Sequence, residues 1–297
     1  MQQLSSLMDR AWPNWHQWVQ LTRFNKPVGS YLLLWPTLWA LWVAAEGVPS
    51  IANLIIFTLG VFIMRSAGCI INDYADRHID KHVKRTEDRP LTQGRLTEKQ
   101  ALMGFAILCL LAFILVLFTN LFTVLLSFGG VVLAALYPFM KRHTYLPQVF
   151  LGMAFSWAIP MAFAAEANQL TAVCWLIFVA KVSWTVGYDT IYAMVDRDDD
   201  LKIGVKSTAI LFADMDVTII AILYGLAHLC LLSVGNQLEL HWSYFAAWLL
   251  AAGYMAWQIF SIRSRDRADC FRQFRLAHWY GVIMLVGFVA GYGLGVS

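Results

Sequence analysis

Nine apolar stretches, each of about 20 residues, restrict the fold of this chain more than any other feature of its sequence. An α-helix of that length crosses the hydrocarbon of a bilayer and satisfies its own backbone hydrogen bonds. With 59% hydrophobic residues, the chain has too many apolar side chains for one water-soluble core. We therefore predict an all-α polytopic membrane protein of nine helices around a central cavity. The stretches cover approximately residues 28–46, 51–71, 101–119, 121–140, 147–165, 170–190, 208–233, 242–262 and 277–296.

Basic residues are distributed unequally between the predicted loops. If the N-terminus is cytoplasmic, 20 of the 22 Lys and Arg residues fall in cytoplasmic segments. The other two, Arg65 and Lys181, lie within apolar stretches. By the positive-inside rule, this distribution predicts a cytoplasmic N-terminus and a periplasmic C-terminus. We expect no cleaved signal peptide and no nucleic-acid partner, and the five cysteines form no CxxC pair that would indicate a zinc site or a disulfide framework.

The second apolar stretch ends in an acidic segment. Asn72, Asp76 and Asp80 are spaced at i, i+4 and i+8, so they share one face if the helix continues, with Asp73 beside them. Carboxylates at a helix C-terminus are electrostatically unfavourable, and like charges four residues apart repel. This pattern favours a bound cation over the simpler alternative of a helix end that becomes polar in water. Hard oxygen ligands completed by a substrate phosphate indicate Mg²⁺.

A second acidic segment ends the sixth stretch. Asp189, Asp196 and Asp200 share one helical face, whereas Asp198 and Asp199 are expected to face solvent. Four helices separate the two segments, so both emerge at the same membrane face. Two facing rows of acids predict a binuclear cation site that bridges a multiply charged anion.

The position of the acids also suggests an internal repeat. If the chain consists of two related halves, each half places an acidic segment at the cytoplasmic end of its second helix. The prediction is one membrane domain over residues 1–297, with two halves at roughly 28–140 and 147–262 and a last helix at 277–296.

Basic residues alternate with the acids at the same end of the predicted bundle. Arg85 and Arg89 follow the first acidic segment, Lys202 and Lys206 follow the second, and Lys141 ends the fourth stretch. A solvated positive loop explains any one of them. Together with the acids, they suit a metal-bound diphosphate better than a bare metal ion.

Two basic residues lie at membrane depth. Arg65 precedes Asn72 by seven residues and Lys181 precedes Asp189 by eight, so each lies about two turns deeper than the acids. Ionisable groups at that depth are costly and usually functional, although a structural ion pair is the alternative. We predict an anchor for a second, anionic substrate, with Arg65 as the better carboxylate ligand.

Four ordered segments resemble the UbiA superfamily of intramembrane aromatic prenyltransferases, and within it the bacterial 4-hydroxybenzoate polyprenyltransferases of ubiquinone biosynthesis. The resemblance runs over nearly the whole chain. The segments are Arg65 to Asp80 (RxxGCxxNDxxDxxxD), Arg85 to Pro90 (RTxxRP), Tyr137 to Gln148 (YPxxKRxTxxxQ) and Asp189 to Ser207 (DxxYAxxDxxxD, then KS).

The resemblance implies nine helices around a cavity that opens to lipid and is capped on the cytoplasmic side of a bacterial inner membrane. It implies Mg²⁺-assisted transfer of a polyprenyl group from its diphosphate to 4-hydroxybenzoate. The catalytic acids would be Asp76, Asp80, Asp196 and Asp200. The metal ligands would be these four with Asn72 and Asp189, and Asp73 as a further candidate. The diphosphate ligands would be Arg85, Arg89 and Lys141, with Lys202 and Lys206 as further candidates. The aromatic substrate would meet Arg65, with Lys181, Tyr137 and Tyr192 as further candidates.

Two other classes remain open from the residues alone. Membrane CDP-alcohol phosphotransferases also use intramembrane aspartates and a metal, but their motif begins DGxxAR, which this sequence lacks, and they have fewer helices. A cation-coupled transporter would place its carboxylates near the midplane on broken helices. Here the acids lie at the predicted helix ends.

Overall fold

The structure, a computed structural model, describes residues 13–293, and that range is helical with no β-strand. Two predicted features lie outside it: Arg10, which was counted as cytoplasmic, and residues 294–296 of the last apolar stretch. Single 3₁₀ turns cover Asp80–His82 and Ala213–Met215. The α-helices are α1 (Trp15–Leu21), α2 (Val28–Ala44), α3 (Ile51–Asp76), α4 (Glu98–Val116), α5 (Leu121–Met140), α6 (Pro147–Ser156), α7 (Ala158–Ala167), α8 (Ala172–Ile203), α9 (Thr208–Phe212), α10 (Asp216–Gln237), α11 (Trp242–Ser261), α12 (Arg267–Leu276) and α13 (His278–Gly293).

Each predicted apolar stretch coincides with one helix or with two consecutive helices. Within residues 13–293, seven helical segments are long and apolar enough to cross a membrane. They are α3, α4, α5, α6 with α7, α8, α9 with α10, and α12 with α13. Helix α2 is apolar but has only 17 residues, and the Trp and Tyr residues of α11 lower its mean hydropathy. The count of nine spans and the orientation therefore stay predictions.

The core of the bundle is aromatic. The ring centroids of Trp39 and Trp184 are 6.0 Å apart, and those of Trp184 and Tyr280 are 5.1 Å apart. The indole of Trp39 also donates a 2.9 Å hydrogen bond to the Gly281 carbonyl. These contacts join α2, α8 and α13, because the packed rings bury a large apolar area between the three helices. They hold α8, the longest helix, at the centre of the bundle.

Helices α4 and α5 form an outer face. In the 18-residue apolar stretch of each helix, only 11% of the residues are buried inside the protein. Large apolar side chains on them and on the turn between them are exposed, including Leu110, Phe118, Leu121 and Leu125. An exposed apolar surface of this extent suits lipid rather than water.

Helix α3 ends earlier than the sequence spacing suggested. The predicted common face of Asn72, Asp76 and Asp80 required the helix to continue to Asp80, and it does not, because α3 ends at Asp76. The Arg77 side chain donates to the Tyr74 carbonyl at 2.7 Å, and Arg142 of the loop after α5 donates to the Ala75 carbonyl. A continuing helix would use both carbonyls for its next turn, so these side chains favour the turn that leads into Asp80–His82.

Helix α8 has no such interruption. It continues for 32 residues through the whole second acidic segment to Ile203. Gly204 follows with φ of 72° and its N–H bonds the Asp200 carbonyl, which is a common left-handed helix end. The second group of acids therefore keeps the helical spacing that the sequence predicted.

Candidate active site

One polar cavity of about 270 Å³ brings both acidic segments together. It lies where α3, α8, the end of α5 and the segment 77–97 meet. We call residues 77–97, which connect α3 to α4, the cap segment. Of the predicted site residues, the cavity is lined by Arg65, Asn72, Asp73, Asp76, Asp80, Arg85, Arg89, Tyr137, Lys141, Asp189, Tyr192, Asp196, Asp200 and Lys206.

In the first acidic segment, cations from other parts of the chain hold the carboxylates. Lys141 places its Nζ 2.6 Å from Oδ2 of Asp76, and the Asn72 amide donates to the same oxygen at 3.2 Å. Arg89 of the cap segment bonds Asp80 at 2.7 Å and Asp73 at 2.9 Å through one nitrogen. These pairs reduce the like-charge repulsion that close carboxylates would otherwise suffer.

The pair of Asp80 and Arg89 lies outside the membrane-spanning helices and is largely removed from water. Burial raises the pKa of Asp80, and the Arg89 guanidinium opposes that shift. Burial alone would lower the pKa of Arg89, but the Asp73 and Asp80 carboxylates outweigh it and raise that pKa. The arginine is therefore held charged at the cavity, where an incoming anion would compete with the carboxylates for it.

In the second acidic segment, Asp196 is held by cations from two other parts of the chain. Arg85 of the cap segment donates three hydrogen bonds of 2.5–3.1 Å to Asp196, as a fork. The Arg85 guanidinium also lies 4.7 Å above the Tyr192 ring, which stacks on Phe274 at 4.2 Å. Arg267 of α12 lies 3.6 Å from Asp196. The cap segment and α12 thus converge on the same residue.

Two neighbouring acids behave differently from each other. Asp198 is exposed, as the spacing predicted. Asp199 is not free in solvent, and the expectation that it would be is wrong. Its oxygens lie 3.2 Å from Arg267 and 3.9 Å from Lys202, so the start of α12 partly covers it.

Arg65 lies where the polar cavity adjoins an apolar one. A second cavity of about 170 Å³ between α3, α4, α5 and α7 shares Arg65, Tyr137 and Phe155 with the first. The Arg65 guanidinium is 5.5 Å from the centre of the Phe155 ring, and its Nε is buried without a hydrogen-bond partner. An unmet donor in such a place is costly, so Arg65 is well suited to receive an anion.

Lys181 does not line either cavity, although the sequence placed it beside Arg65 as a further candidate for the aromatic substrate. It is fully buried, and its Nζ donates to Thr185 at 2.7 Å and to Tyr188 at 3.0 Å. Helical geometry gives the reason. Arg65 precedes Asn72 by seven residues, which turn a helix about 20° less than two full turns, so the two side chains share a face. Lys181 precedes Asp189 by eight residues, which leave its side chain about 80° away from Asp189 around the helix.

Lys202 does not line the cavity either, although the sequence made it a further candidate for binding the diphosphate. Its side chain is 76% exposed and its only recorded acidic partner among the described residues is Asp199. Two residues turn a helix by about 200°, so Lys202 lies nearly opposite Asp200 on α8.

The cavity has oxygen ligands suitable for Mg²⁺, but they are not gathered in advance. No three His, Cys, Asp or Glu side chains between residues 13 and 293 are close enough to hold a metal ion. Oδ1 of Asp76 is buried and lacks a partner. In the same range, no hydrogen bond or ion pair engages the side chains of Asp189 or Asp200. Mg²⁺ commonly takes one or two carboxylates and completes its octahedron with substrate phosphates and water, so this donor set fits it.

Sequence reasoning missed three residues at the site. Arg23, between α1 and α2, lines the cavity and bonds Asp73. Phe155 lies between the two cavities, and Arg267 contacts Asp196. Each contact joins segments far apart in the chain, so helical spacing within one segment gives no signal for it.

The comparisons with known proteins agree with this geometry. A sequence model described as the UbiA prenyltransferase family matches residues 33–282. The chain belongs to this family. Together with its apolar helices, membership of the UbiA prenyltransferase family makes the chain an integral membrane protein.

Close relatives share nearly the full length of the chain. A protein of Pseudomonas syringae pv. syringae (strain B728a) named 4-hydroxybenzoate octaprenyltransferase is 56% identical over 99% of this chain and 98% of its own. A protein of the same name from Pseudomonas aeruginosa (strain LESB58) is 54% identical over 98% of this chain and 97% of its own.

Solved structures share the fold. The apo structure of a UbiA homolog from Aeropyrum pernix K1 superposes with a TM-score of 0.77 at 22% identity, covering 88% of this chain and 97% of its own. A UbiA homolog from Archaeoglobus fulgidus bound to GPP and Mg²⁺ gives 0.66 at 15% identity, covering 90% and 99%.

Proposed function

We propose that this protein transfers a polyprenyl group from polyprenyl diphosphate to 4-hydroxybenzoate, at the ring carbon ortho to the hydroxyl, in ubiquinone biosynthesis. The observation that carries the proposal is the full-length identity of 56% to a protein named 4-hydroxybenzoate octaprenyltransferase. The site supports it, because acids and bases surround one end of the cavity and Arg65 lies at the other. A homolog of the same fold has been solved with GPP and Mg²⁺.

The acidic segments would hold the metal ion. When bound, Mg²⁺ would neutralise charge that develops on the departing diphosphate. Oδ1 of Asp76 has no hydrogen-bond partner, and within residues 13–293 no ion pair holds Asp189 or Asp200, which also line the cavity. The residues proposed to contribute to the metal site are Asn72, Asp76, Asp80, Asp189, Asp196 and Asp200.

The basic residues would hold the diphosphate and favour its departure. Arg85, Arg89 and Lys141 are paired with acids at the cavity, so they are already oriented toward it, and Lys206 also lines it. As the allylic C–O bond breaks, the diphosphate carries away the bonding electrons and an allyl cation remains. Cations fixed around the leaving group stabilise the charge it gains.

The aromatic acid would bind deeper, with its carboxylate on Arg65. The electron-rich ring would then attack the allyl cation to form the new C–C bond, and loss of the ring proton would restore aromaticity. Tyr137 lines both cavities at this point, so its ring is placed to exclude water and to stabilise a cation. Tyr192 is already engaged by Arg85 and Phe274.

The apolar cavity beyond Arg65 would take the first part of the prenyl chain. Its walls are formed mainly by aliphatic and aromatic side chains, so it offers little to a polar ligand. A long tail would continue into lipid. In this proposal nine helices span the inner membrane of a bacterium, the N-terminus and the site are cytoplasmic, and the chain forms two related halves.

An acceptor-competition assay tests the proposal. Purified protein in vesicles receives one prenyl diphosphate, Mg²⁺ and an equal mixture of 4-hydroxybenzoate, homogentisate and dihydroxynaphthoate. We expect prenylated 4-hydroxybenzoate as the main product and none when Mg²⁺ is chelated. Vesicles with Asp76→Ala protein are the control for background transfer. Prenylation of another acceptor in preference to 4-hydroxybenzoate would reject the substrate, and no transfer to any acceptor would reject the reaction.

A further inference from the structure

Within the first acidic segment, Asp73 differs from Asp76 and Asp80 in how completely its carboxylate is occupied. Nη2 of Arg23 lies 2.9 Å from both of its oxygens. Nη1 of Arg89 lies 2.9 Å from Oδ1. The side chain is buried, with 1% of its surface exposed. Two arginines that cannot lose their protons therefore use both oxygens of this carboxylate.

This occupancy argues against a metal ion on Asp73. A divalent cation bound there would lie next to two guanidinium groups in a place shielded from water, where repulsion is strong. Asp76, three residues away, has a buried Oδ1 without a partner. The two neighbouring acids thus differ in a property that metal binding needs: Asp76 has an oxygen without a hydrogen-bond partner, and Asp73 has none.

The two arginines come from separate parts of the chain. Arg23 belongs to the connection between α1 and α2, where its backbone has φ of 59°, a left-handed value that is uncommon for a residue with a side chain. Its Nη1 donates to the Gln20 carbonyl at 2.6 Å, which fixes the guanidinium. Arg89 belongs to the cap segment. Asp73, at the end of α3, is the residue that joins them.

Further contacts hold the same two segments together. The Gln20 amide donates to the Asp88 carbonyl at 3.2 Å. Leu21 packs with Leu91 and Leu96 of the cap segment in a small apolar cluster that also includes Ile70. Asp73 is the charged centre of this junction, and Arg23 and Arg89 both line the cavity beside it.

We propose that Asp73 is a positioning residue and not a metal ligand: it holds Arg23 and Arg89 at the cavity so that both guanidinium groups bind the diphosphate. Arg23 thereby becomes a further diphosphate ligand. The inference rests on the proposed function, because it assumes that the cavity binds a diphosphate.

The test compares the variants Asp73→Asn and Asp76→Asn. Calorimetry measures the binding of inorganic diphosphate to each purified protein at a series of Mg²⁺ concentrations. Loss of a charged hydrogen bond costs about ten-fold or more in affinity. For Asp73→Asn we expect diphosphate affinity at saturating Mg²⁺ to fall about ten-fold, and the half-saturating Mg²⁺ concentration to stay within about two-fold of wild type. For Asp76→Asn we expect the half-saturating Mg²⁺ concentration to rise about ten-fold.

A second variant protects the test against misfolding of Asp73→Asn. Arg23→Ala should weaken diphosphate binding to a similar degree, and Arg23→Lys should recover part of the loss. The double variant Asp73→Asn with Arg23→Ala should be little worse than either single one, because the residues act as a unit. In turnover, both single variants should raise the KM for geranyl diphosphate about ten-fold and change kcat less than about three-fold.

Two results would overturn the proposal. One is a rise in the half-saturating Mg²⁺ concentration in Asp73→Asn as large as in Asp76→Asn, which would make Asp73 a metal ligand. The other is unchanged diphosphate affinity in Arg23→Ala. Calorimetry with inorganic diphosphate needs no aromatic acceptor. A failure of 4-hydroxybenzoate prenylation would therefore reject the proposed function, and the binding result could still be interpreted.

Discussion

The two acidic segments share a spacing in the sequence but differ in backbone and in partners. In the first, α3 ends at Asp76 and a turn carries Asp80 back to the cavity. In the second, α8 continues unbroken past Asp200. A spacing of four residues therefore predicts that acids will meet in one place, but it does not show whether a helix or a turn brings them there.

The partners differ as well. Three cations bind the acids of the first segment: Arg23 and Lys141 from distant parts of the chain, and Arg89 from the cap segment that follows α3. In the second segment, cations contact Asp196 and Asp199, while Asp189 and Asp200 have no ion pair between residues 13 and 293. This difference suggests a division of labour. The first segment would orient more of the phosphate-binding cations, and the second would supply more of the oxygens that are free for the metal.

The largest effect expected is on the acids with free oxygens in each segment. Asp76→Asn and Asp200→Asn should each lower kcat/KM by about 10²–10³, because each removes a carboxylate proposed to hold the Mg²⁺ that neutralises charge on the departing diphosphate. The measurement is transfer of a prenyl group to labelled 4-hydroxybenzoate at saturating Mg²⁺. Asp198→Asn is the matched control, since Asp198 is on the same helix but exposed, and its activity should equal wild type. Full activity in Asp200→Asn would contradict the division between the segments.

The deep cations below the two segments provide the next comparison. Arg65 lies below the first and lines the cavity, whereas Lys181 lies below the second and bonds Thr185 and Tyr188. Arg65→Gln should raise the KM for 4-hydroxybenzoate about 10- to 100-fold, since a charged hydrogen bond to its carboxylate is lost. The KM for the prenyl diphosphate should change much less.

Lys181→Met serves as the matched variant. Met has a similar volume, so the substitution removes the hydrogen bonds to Thr185 and Tyr188 with little change in packing. We expect the KM for 4-hydroxybenzoate to stay within about two-fold of wild type. A rise in this KM equal to that of Arg65→Gln would place Lys181 at the aromatic substrate after all.

These comparisons show what the sequence could and could not predict. Apolar length located the helices, and helical spacing correctly brought Asn72 and Asp76, and separately Asp196 and Asp200, to one cavity. The end of α3 was not predictable, because it depends on Arg142, which is 67 residues away from the carbonyl it binds. The proposed internal repeat stays a prediction.

A third comparison concerns the two arginines of the cap segment. Arg85 binds Asp196 with a fork that uses two nitrogens, whereas Arg89 reaches Asp73 and Asp80 through one. Lysine can replace a single-nitrogen contact but not a fork. Arg85→Lys should therefore raise the KM for prenyl diphosphate about ten-fold, and Arg89→Lys only about three-fold.

Arg95→Lys is the control for this pair. Arg95 lies in the same cap segment but contacts Asp88 near the surface, and it does not line the cavity. Its KM for prenyl diphosphate should equal that of wild type. An equal loss in Arg85→Lys and Arg89→Lys would show that the fork on Asp196 has no special part in binding the donor.

The smallest effect expected separates the two lysines that follow the second acidic segment. Lys206 lines the cavity and its Nζ donates to the His143 carbonyl at 3.4 Å, whereas Lys202 lies nearly opposite Asp200 and is mostly exposed. An exposed ion pair contributes about 1 kcal/mol or less, so Lys202→Ala should leave the KM for prenyl diphosphate unchanged. Lys206→Ala should raise it about three-fold, because a mobile cation at the rim of the cavity adds a modest attraction for the diphosphate.

Raising the salt concentration should reduce the difference between the two variants, since screening weakens contacts at the rim first. A larger loss in Lys202→Ala than in Lys206→Ala would mean that the end of α8 turns toward the cavity when the donor binds.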